Sequence, residues 1–362
     1  MRTTPYLPML VLMSTCAVGA CATLAARATD APEASDARVS VISRSQVWSP
    51  TQIDAMDLKA GPREDGAFPF RATVYCTYLD KDLKGNSPKF ACTIGNDDEV
   101  KVKFGGNNGE VYGEVLATRL LWALGFGADR MYPVNVICHG CPSDLGGIER
   151  PGDESRFDPA VIERKMPGGE WAPDDKPGWS WKELDVVNPE LGGAPKAHRD
   201  ALKLLAVFHH HTDSKPEQQV VLCLGQTRVL AAHSCERPFL MISDVGLTFG
   251  RANRTNANDS GANLVAWRRT PVWKDEAGCT GNLPKSFTGT LDDPVISEDG
   301  RHFLANLLTQ LSDRQIRDLF EVARVELRLR NPGDVPSGFA TIDEWVDTFK
   351  QKRDQIVTRR CA

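Results

Sequence analysis

The chain is predicted to fold as an α+β protein in two lobes, strand-rich first and helix-rich second. Three observations carry that prediction. Short alternating segments separated by Gly, Asn, Asp and Pro crowd residues 70–104. Helical spacing and two capping boxes govern the last third. The length, 362 residues, is enough for two lobes around sizeable cores.

Residues 1–28 read as an export leader: Arg2, an apolar stretch from Met9 to Leu12, then small residues through Ala28. The apolar part is too short to span a membrane, and nothing later approaches about 18 consecutive apolar residues. Val18-Gly19-Ala20-Cys21 is similar to a bacterial lipoprotein cleavage box, which would make Cys21 a lipid anchor. Ala26-Arg27-Ala28 offers an ordinary cleavage site instead. Either way the mature chain is exported, to the periplasm, to the outer membrane as a lipoprotein, or outside the cell.

Cysteine usage agrees with export. Of ten cysteines, Cys16 and Cys21 fall in the leader, and eight remain. An even count suits a disulfide framework in an oxidising compartment. Eight cysteines allow 105 pairings. Sequence neighbours suggest Cys76–Cys92, Cys138–Cys141 and Cys223–Cys235, which leaves Cys279–Cys361. Of 43 Lys and Arg, Arg2 and Arg27 leave with the leader, so the mature balance is 41 against 48 Asp and Glu, or −7. That mild acidity gives no support to nucleic-acid binding.

Residues 29–60, rich in Ala, Ser, Asp and Thr, read as a tether with a short helix near Ser49–Leu58. Residues 61–168 are read as the first lobe and 169–362 as the second. Strands are predicted at Phe70–Tyr78, Lys89–Ile94 and Val100–Phe104, forming an antiparallel sheet. Glu110–Leu124 switches to helical spacing, and Gly125 ends it. Strands follow at Met131–Cys138 and Pro159–Arg164, then a Gly-, Pro- and Trp-rich connection from Pro167 to Trp181. Pro195–His209 reads as a helix leading directly into His211–Gln218. Val220–Leu224 and Phe239–Ser243 look like a hairpin. Ser312-Asp313-Arg314-Gln315 and Thr341-Ile342-Asp343-Glu344 match capping boxes, and helices are predicted from about Ser297, Ser312 and Thr341.

Two loops carry the functional reading. His211-Thr212-Asp213-Ser214-Lys215-Pro216-Glu217-Gln218 keeps His, Asp, Lys, Pro and Glu where the protein-kinase catalytic loop has them. Ile242-Ser243-Asp244-Val245-Gly246 follows, an apolar run ending in Asp-x-Gly. In that order the pair resembles the catalytic and metal-binding loops of the protein-kinase-like superfamily. The resemblance implies a two-lobed kinase-like fold over about residues 65–350. More narrowly, the chain is similar to the lipid-kinase, toxin-kinase and secreted-kinase types, and to a group of exported bacterial proteins with kinase-like loops.

The resemblance also implies roles. Asp213 would orient an acceptor hydroxyl and take its proton, and Lys215 would stabilise the transferring phosphoryl group. Asp244 with Gln218 would hold Mg²⁺ or Mn²⁺ bound with ATP or another nucleotide. Val100-Lys101-Val102-Lys103 resembles the strand whose lysine binds the α and β phosphates, with Lys103 in that place. Glu114 would pair with it. Lys101 shares the strand face of Lys103, and Glu110 lies one helical turn from Glu114, so each assignment has an alternative. Phe157–Arg164 resembles the strand leading to the adenine-holding hinge, which adds Glu163 to the nucleotide side. The acceptor, whether protein, lipid or glycan, is unspecified.

The chain departs from the family in three places. Gln218 replaces the metal-binding Asn, Val245 replaces the Phe of Asp-Phe-Gly, and Asp80–Asn86 offers only Gly85 where a glycine-rich phosphate loop belongs. Bacterial extracytoplasmic space lacks an ATP supply. Both facts keep a second reading open, a pseudokinase serving as an envelope binding or scaffold protein.

Other readings fare worse. Consecutive His209, His210 and His211 point in different directions, so a shared zinc ion is disfavoured against a brace for the loop. Cys138-His139-Gly140-Cys141 has no second Cys-x-x-Cys and, in an exported chain, reads as a structural or strained disulfide rather than a redox motif or half a zinc ribbon. Ser243 and Ser260 lack nucleophile-elbow glycines, which gives a serine hydrolase no support. Trp171, Trp179 and Trp181 read as core anchors, with a carbohydrate platform as the alternative.

Overall fold

A computed structural model describes residues 36–173, 178–227, 235–250, 260–275, 277–332 and 337–361. The leader, with Cys21 and the Ala26–Ala28 site, lies outside the described residues.

Strands β1 (Thr73–Leu79), β2 (Lys89–Ile94) and β3 (Asp98–Phe104) form the expected antiparallel meander. Helix α2 (Glu110–Ala123) then crosses to β4 (Arg130–His139), which pairs parallel with β1. A crossover helix makes that parallel pairing sterically accessible. Strand β5 (Ile148–Arg150) pairs with β6 (Glu154–Arg164), and β6 runs antiparallel to both β4 and β3. The β3–β6 pairing brings the sheet back on itself. Alternate side chains, among them Val74, Phe90, Val102, Val134, Phe157 and Ile162, form one apolar cluster. Two disulfides staple these strands, Cys76–Cys92 across β1 and β2 and Cys138–Cys141 at the end of β4.

Beyond this sheet the regular elements among the described residues are mainly helices. In the second sheet β7 (Gly169–Glu170), β8 (Gln219–Cys223) and β9 (Pro238–Ile242) pair in that order, and helix α3 (Lys196–Phe208) lies between β7 and β8 in the chain. Helices α4 (Leu264–Arg269), α5 (Glu298–Thr309), α6 (Asp313–Val322) and α7 (Ile342–Thr358) complete it. The N-caps of α5, α6 and α7 are Ser297, Ser312 and Thr341, each accepting an amide hydrogen bond, and the last two complete capping boxes. Cys223–Cys235 and Cys279–Cys361 close here. The four disulfides match the neighbour pairing and point to an oxidising, extracytoplasmic environment. Among the described residues no helix is long and apolar enough to cross a membrane.

The tether expected over residues 29–60 is corrected in its described part. Asp36–Ser43 is a helix, α1, and Val41, Ile42, Val47, Ile53 and Leu58 are buried in the main core. The segment also completes α2. Trp48 Nε1 donates to Leu124 O at 2.7 Å and Thr51 Oγ1 to Ala123 O at 2.6 Å. These bonds satisfy carbonyls that a helix C-terminus leaves open. The connection around Trp171 likewise packs inward: Trp171, Trp179 and Trp181 are at most 3 % exposed, which removes the carbohydrate-platform alternative.

Candidate functional site

The site begins with strand alternation in β3. Val102 faces the apolar cluster of the sheet, so Lys101 and Lys103 point the other way. Helix α2 lies on that side and is buried nearly all round, which accommodates polar side chains only where partners meet them. Glu110 and Glu114, one turn apart, both reach Lys103. Glu110 Oε2 lies 2.6 Å from Lys103 Nζ, and Glu114 Oε1 forms a second, shorter ion pair. Burial opposes the charge of Lys103, yet Glu114, Asp244 and Glu110 hold its pKa well above the ordinary lysine value. Burial pushes the Glu114 carboxyl up to about 8, against the pull of Lys103, and Asp244 and Glu110 add like-charge repulsion. The two expected glutamate assignments are therefore not exclusive. Lys101 has a different neighbour, pairing with Glu163.

Asp244 follows β9 and comes up against α2. Its Oδ1 accepts from the Gly246 amide at 3.3 Å. Burial raises its pKa, but Lys103, that amide, Lys101 and His211 together hold it below the usual carboxylate range. Carboxylate oxygens of Glu110, Glu114 and Asp244 lie within 4.8 Å of one another.

The His211–Gln218 loop meets Asp244 through its backbone. Ser243 N and Asp244 N both donate to Gln218 O, at 2.9 and 3.2 Å. The chain turns out of α3 at His210, whose φ of 56° is left-handed, and His211 N returns to Ala206 O at 2.8 Å. His210 turns apart from the other two and bonds Gly250 O at 3.0 Å through Nδ1, whereas the His209 and His211 rings lie 6.0 Å apart, His209 stacked on Phe249 and His211 near Trp181. His211 is buried, which lowers its pKa to about 4, while Asp213 and Asp244 pull the other way. One imidazole thus feels both aspartates. Asp213 Oδ2 accepts from Gln218 Nε2 at 2.7 Å, and Lys215 Nζ lies 3.8 Å from Oδ1. That same Oδ1 accepts from the Thr288 hydroxyl.

The donors fit a hard divalent cation. Glu110, Glu114 and Asp244 offer clustered carboxylate oxygens, the ligand type that Mg²⁺ and Mn²⁺ prefer, whereas Gln218 meets Asp244 through its backbone carbonyl and Asp213 through its side-chain amide. Glu114 Oε2 and Gln218 Oε1 are both buried without a hydrogen-bond partner among the described residues. Buried oxygens left so are costly unless something else meets them. Among the described residues His209, His210 and His211 join no group of three clustered ligand atoms, so the zinc reading stays without support.

Thr288, Asp129 and Lys165 escaped the sequence reading of the site, and Ser243 entered it only as an unsupported nucleophile. Lys165 bridges Glu163 at 2.6 Å and Asp129 at 2.9 Å, and Ser243 Oγ donates to Asp129 Oδ2 at 2.7 Å. This polar ladder runs from Lys101 to the residue before Asp244. Opposed by burial, Lys101 and Lys165 still hold the Glu163 carboxyl below its ordinary range. Burial raises that of Asp129 despite Lys165.

No family model and no curated protein matches the chain. Among solved structures it is similar to the Helicobacter pylori proinflammatory kinase CtkA, with 11% identity over 80% of this chain and 98% of that one, at a TM-score of 0.42.

Proposed function

We propose that the chain is an exported, kinase-like phosphotransferase that uses a nucleoside triphosphate, with Mg²⁺ or Mn²⁺, to phosphorylate a hydroxyl on a protein, lipid or glycan. Residues 61–168 form its first lobe and 169–362 its second. The observation that carries this reading is the enclosure of Lys103 by Glu110, Glu114 and Asp244, with Asp244 tied through the Gln218 carbonyl to the Asp213 loop. Asp213 orients the acceptor and Lys215 meets the transferring phosphoryl group. Lys103 positions the nucleotide with Glu114, and Lys101 with Glu163 lines its base side. Asp244 and Gln218 hold the cation, which would neutralise phosphate charge when bound. The four disulfides support placement in the periplasm, at the outer membrane through Cys21, or outside the cell. Membrane contact is confined to that anchor, and nucleic acid is not among the partners proposed.

Charge bookkeeping sharpens the reading. Around Lys103 stand Glu110, Asp244 and a Glu114 carboxyl pushed up to about 8, with Lys101 also acting on Asp244, so a divalent cation would meet acidic oxygens there while offsetting the charge of a triphosphate. The alternative, a pseudokinase acting as an envelope scaffold, draws on a separate observation: both Asp213 carboxylate oxygens are already engaged within the chain. Thermal unfolding of the oxidised protein with ATP, with and without Mn²⁺, tests the proposal. A stabilisation that requires both ligands together supports a nucleotide site, and none under any combination rejects it.

A further inference from the structure

The segment from Ser286 to Leu291 is strapped across the catalytic loop. Ser286 Oγ donates to Thr212 O at 2.5 Å, and Thr290 Oγ1 donates to Ser214 O at 2.6 Å. Thr290 N and Leu291 N both donate to Ser214 Oγ, at 3.1 and 3.0 Å. Gly289 makes the approach sterically accessible, because a Cβ there would lie 2.1 Å from Thr212 O. Thr288, between these anchors, directs its hydroxyl at Asp213 Oδ1. Of the three hydroxyls in the strap, Ser286 and Thr290 meet backbone carbonyls, which are not bases. Thr288 meets a carboxylate. The segment is not core: Phe287 beside it is 77 % exposed, and Gly289 and Thr290 are exposed too.

A hydroxyl that donates its proton to the base carboxylate is in the relationship an acceptor must reach before transfer. Lys215 Nζ, 3.8 Å from the same oxygen, stands where it can follow the charge that moves during transfer. We infer that Thr288 is an internal acceptor, a modification site phosphorylated by its own chain. The inference rests on the phosphotransferase reading above. In the step, Thr288 Oγ1 forms a bond to the γ-phosphorus of a nucleoside triphosphate and the bond from that phosphorus to the β-bridging oxygen breaks. Asp213 takes the hydroxyl proton, and the nucleoside diphosphate leaves with the bridging electron pair. The products are phosphothreonine and the diphosphate, with no further reactant. Until that happens, Thr288 occupies Asp213 Oδ1, and any external acceptor has to displace it.

The test is incubation of the oxidised full chain with γ-labelled ATP and Mn²⁺, followed by phosphosite mapping and, in parallel, thermal unfolding with ATP and Mn²⁺. Phosphate is expected on residue 288, with a rate constant that does not change on dilution of the protein. Thr288→Ser should keep the label at that position, and Asp213→Asn should slow labelling by about 100-fold or more. Label on another residue or on an added hydroxyl acceptor, with Thr288 unmodified, overturns the inference and leaves the phosphotransferase standing. A labelling rate that rises with protein concentration overturns the internal route. A nucleotide-induced thermal shift without label anywhere overturns the inference and favours the scaffold reading. Neither shift nor label overturns both.

Discussion

Gly113 of α2 lies against the carbonyl of Gly246, so closely that a Cβ on Gly113 would sit 2.3 Å from that oxygen. The contact brings the helix that carries Glu110 and Glu114 onto the loop that carries Asp244, and Thr248 Oγ1 reinforces it by donating to Gly113 O at 3.2 Å. Backbone on backbone leaves neither side a rotamer with which to yield. Gly113→Ala should therefore force α2 and the Asp244 loop apart, destabilising the protein by about 1–3 kcal/mol and weakening Mn²⁺-dependent nucleotide binding. Urea unfolding and a nucleotide titration measure the two effects. Unchanged stability would mean that this packing does not set the carboxylate spacing.

Acid should unfold the protein through its buried histidines. Burial, with Lys352 adding repulsion, lowers the His210 pKa from 6.5 to about 3 despite its bond to Gly250, and burial lowers His211 to about 4. A depressed folded-state value means that neutral imidazole is favoured in the fold. The corresponding stability is present above pH 6.5 and is lost as pH falls through the folded values. Each such histidine contributes a slope of about 1.4 kcal/mol per pH unit within its window. His210→Asn accepts the left-handed backbone and keeps a donor for Gly250 O. It should flatten the stability profile below pH 6.5 by about one proton's slope. A profile as steep as that of the wild type would show that His210 does not titrate on unfolding.

Of the four disulfides, Cys279–Cys361 closes the longest loop, with a sequence separation of 82. It ties the end of the chain beyond α7 to the segment before α5. Restricting so long a loop in the unfolded chain is worth about 4 kcal/mol. Replacing both cysteines by Ser should lower the unfolding free energy by about that amount. Removal of Cys138–Cys141, with a sequence separation of 3, should cost less. Equal losses would contradict a loop-entropy origin.

Local signals made much of this fold legible. Ser297, Ser312 and Thr341 announce helix starts because a capping hydroxyl acts within one turn. Lys103, Glu114, Asp213 and Asp244 stand in short motifs; the folded chain gathers Lys103, Glu114 and Asp244, and His211 lies near both Asp213 and Asp244. Residues 36–60 misled because Val41, Ile42, Val47, Ile53 and Leu58 enter the core at irregular spacing rather than on one periodic face. Thr288 and Lys165 left no trace in sequence. Their partners, Asp213 and Asp129, are 75 and 36 residues away, and only tertiary folding selects them.

The central claim is that Asp244 belongs to a cation-dependent nucleotide site, and Asp244→Ala tests it most directly. The carboxylate is half-buried and polar in its contacts, so its loss opens no apolar cavity and the fold should persist. Calorimetric titration of ATP into the oxidised protein with Mn²⁺ should show binding in the wild type and none in the variant. Equal affinity in the two proteins, or binding that ignores Mn²⁺, would contradict the account.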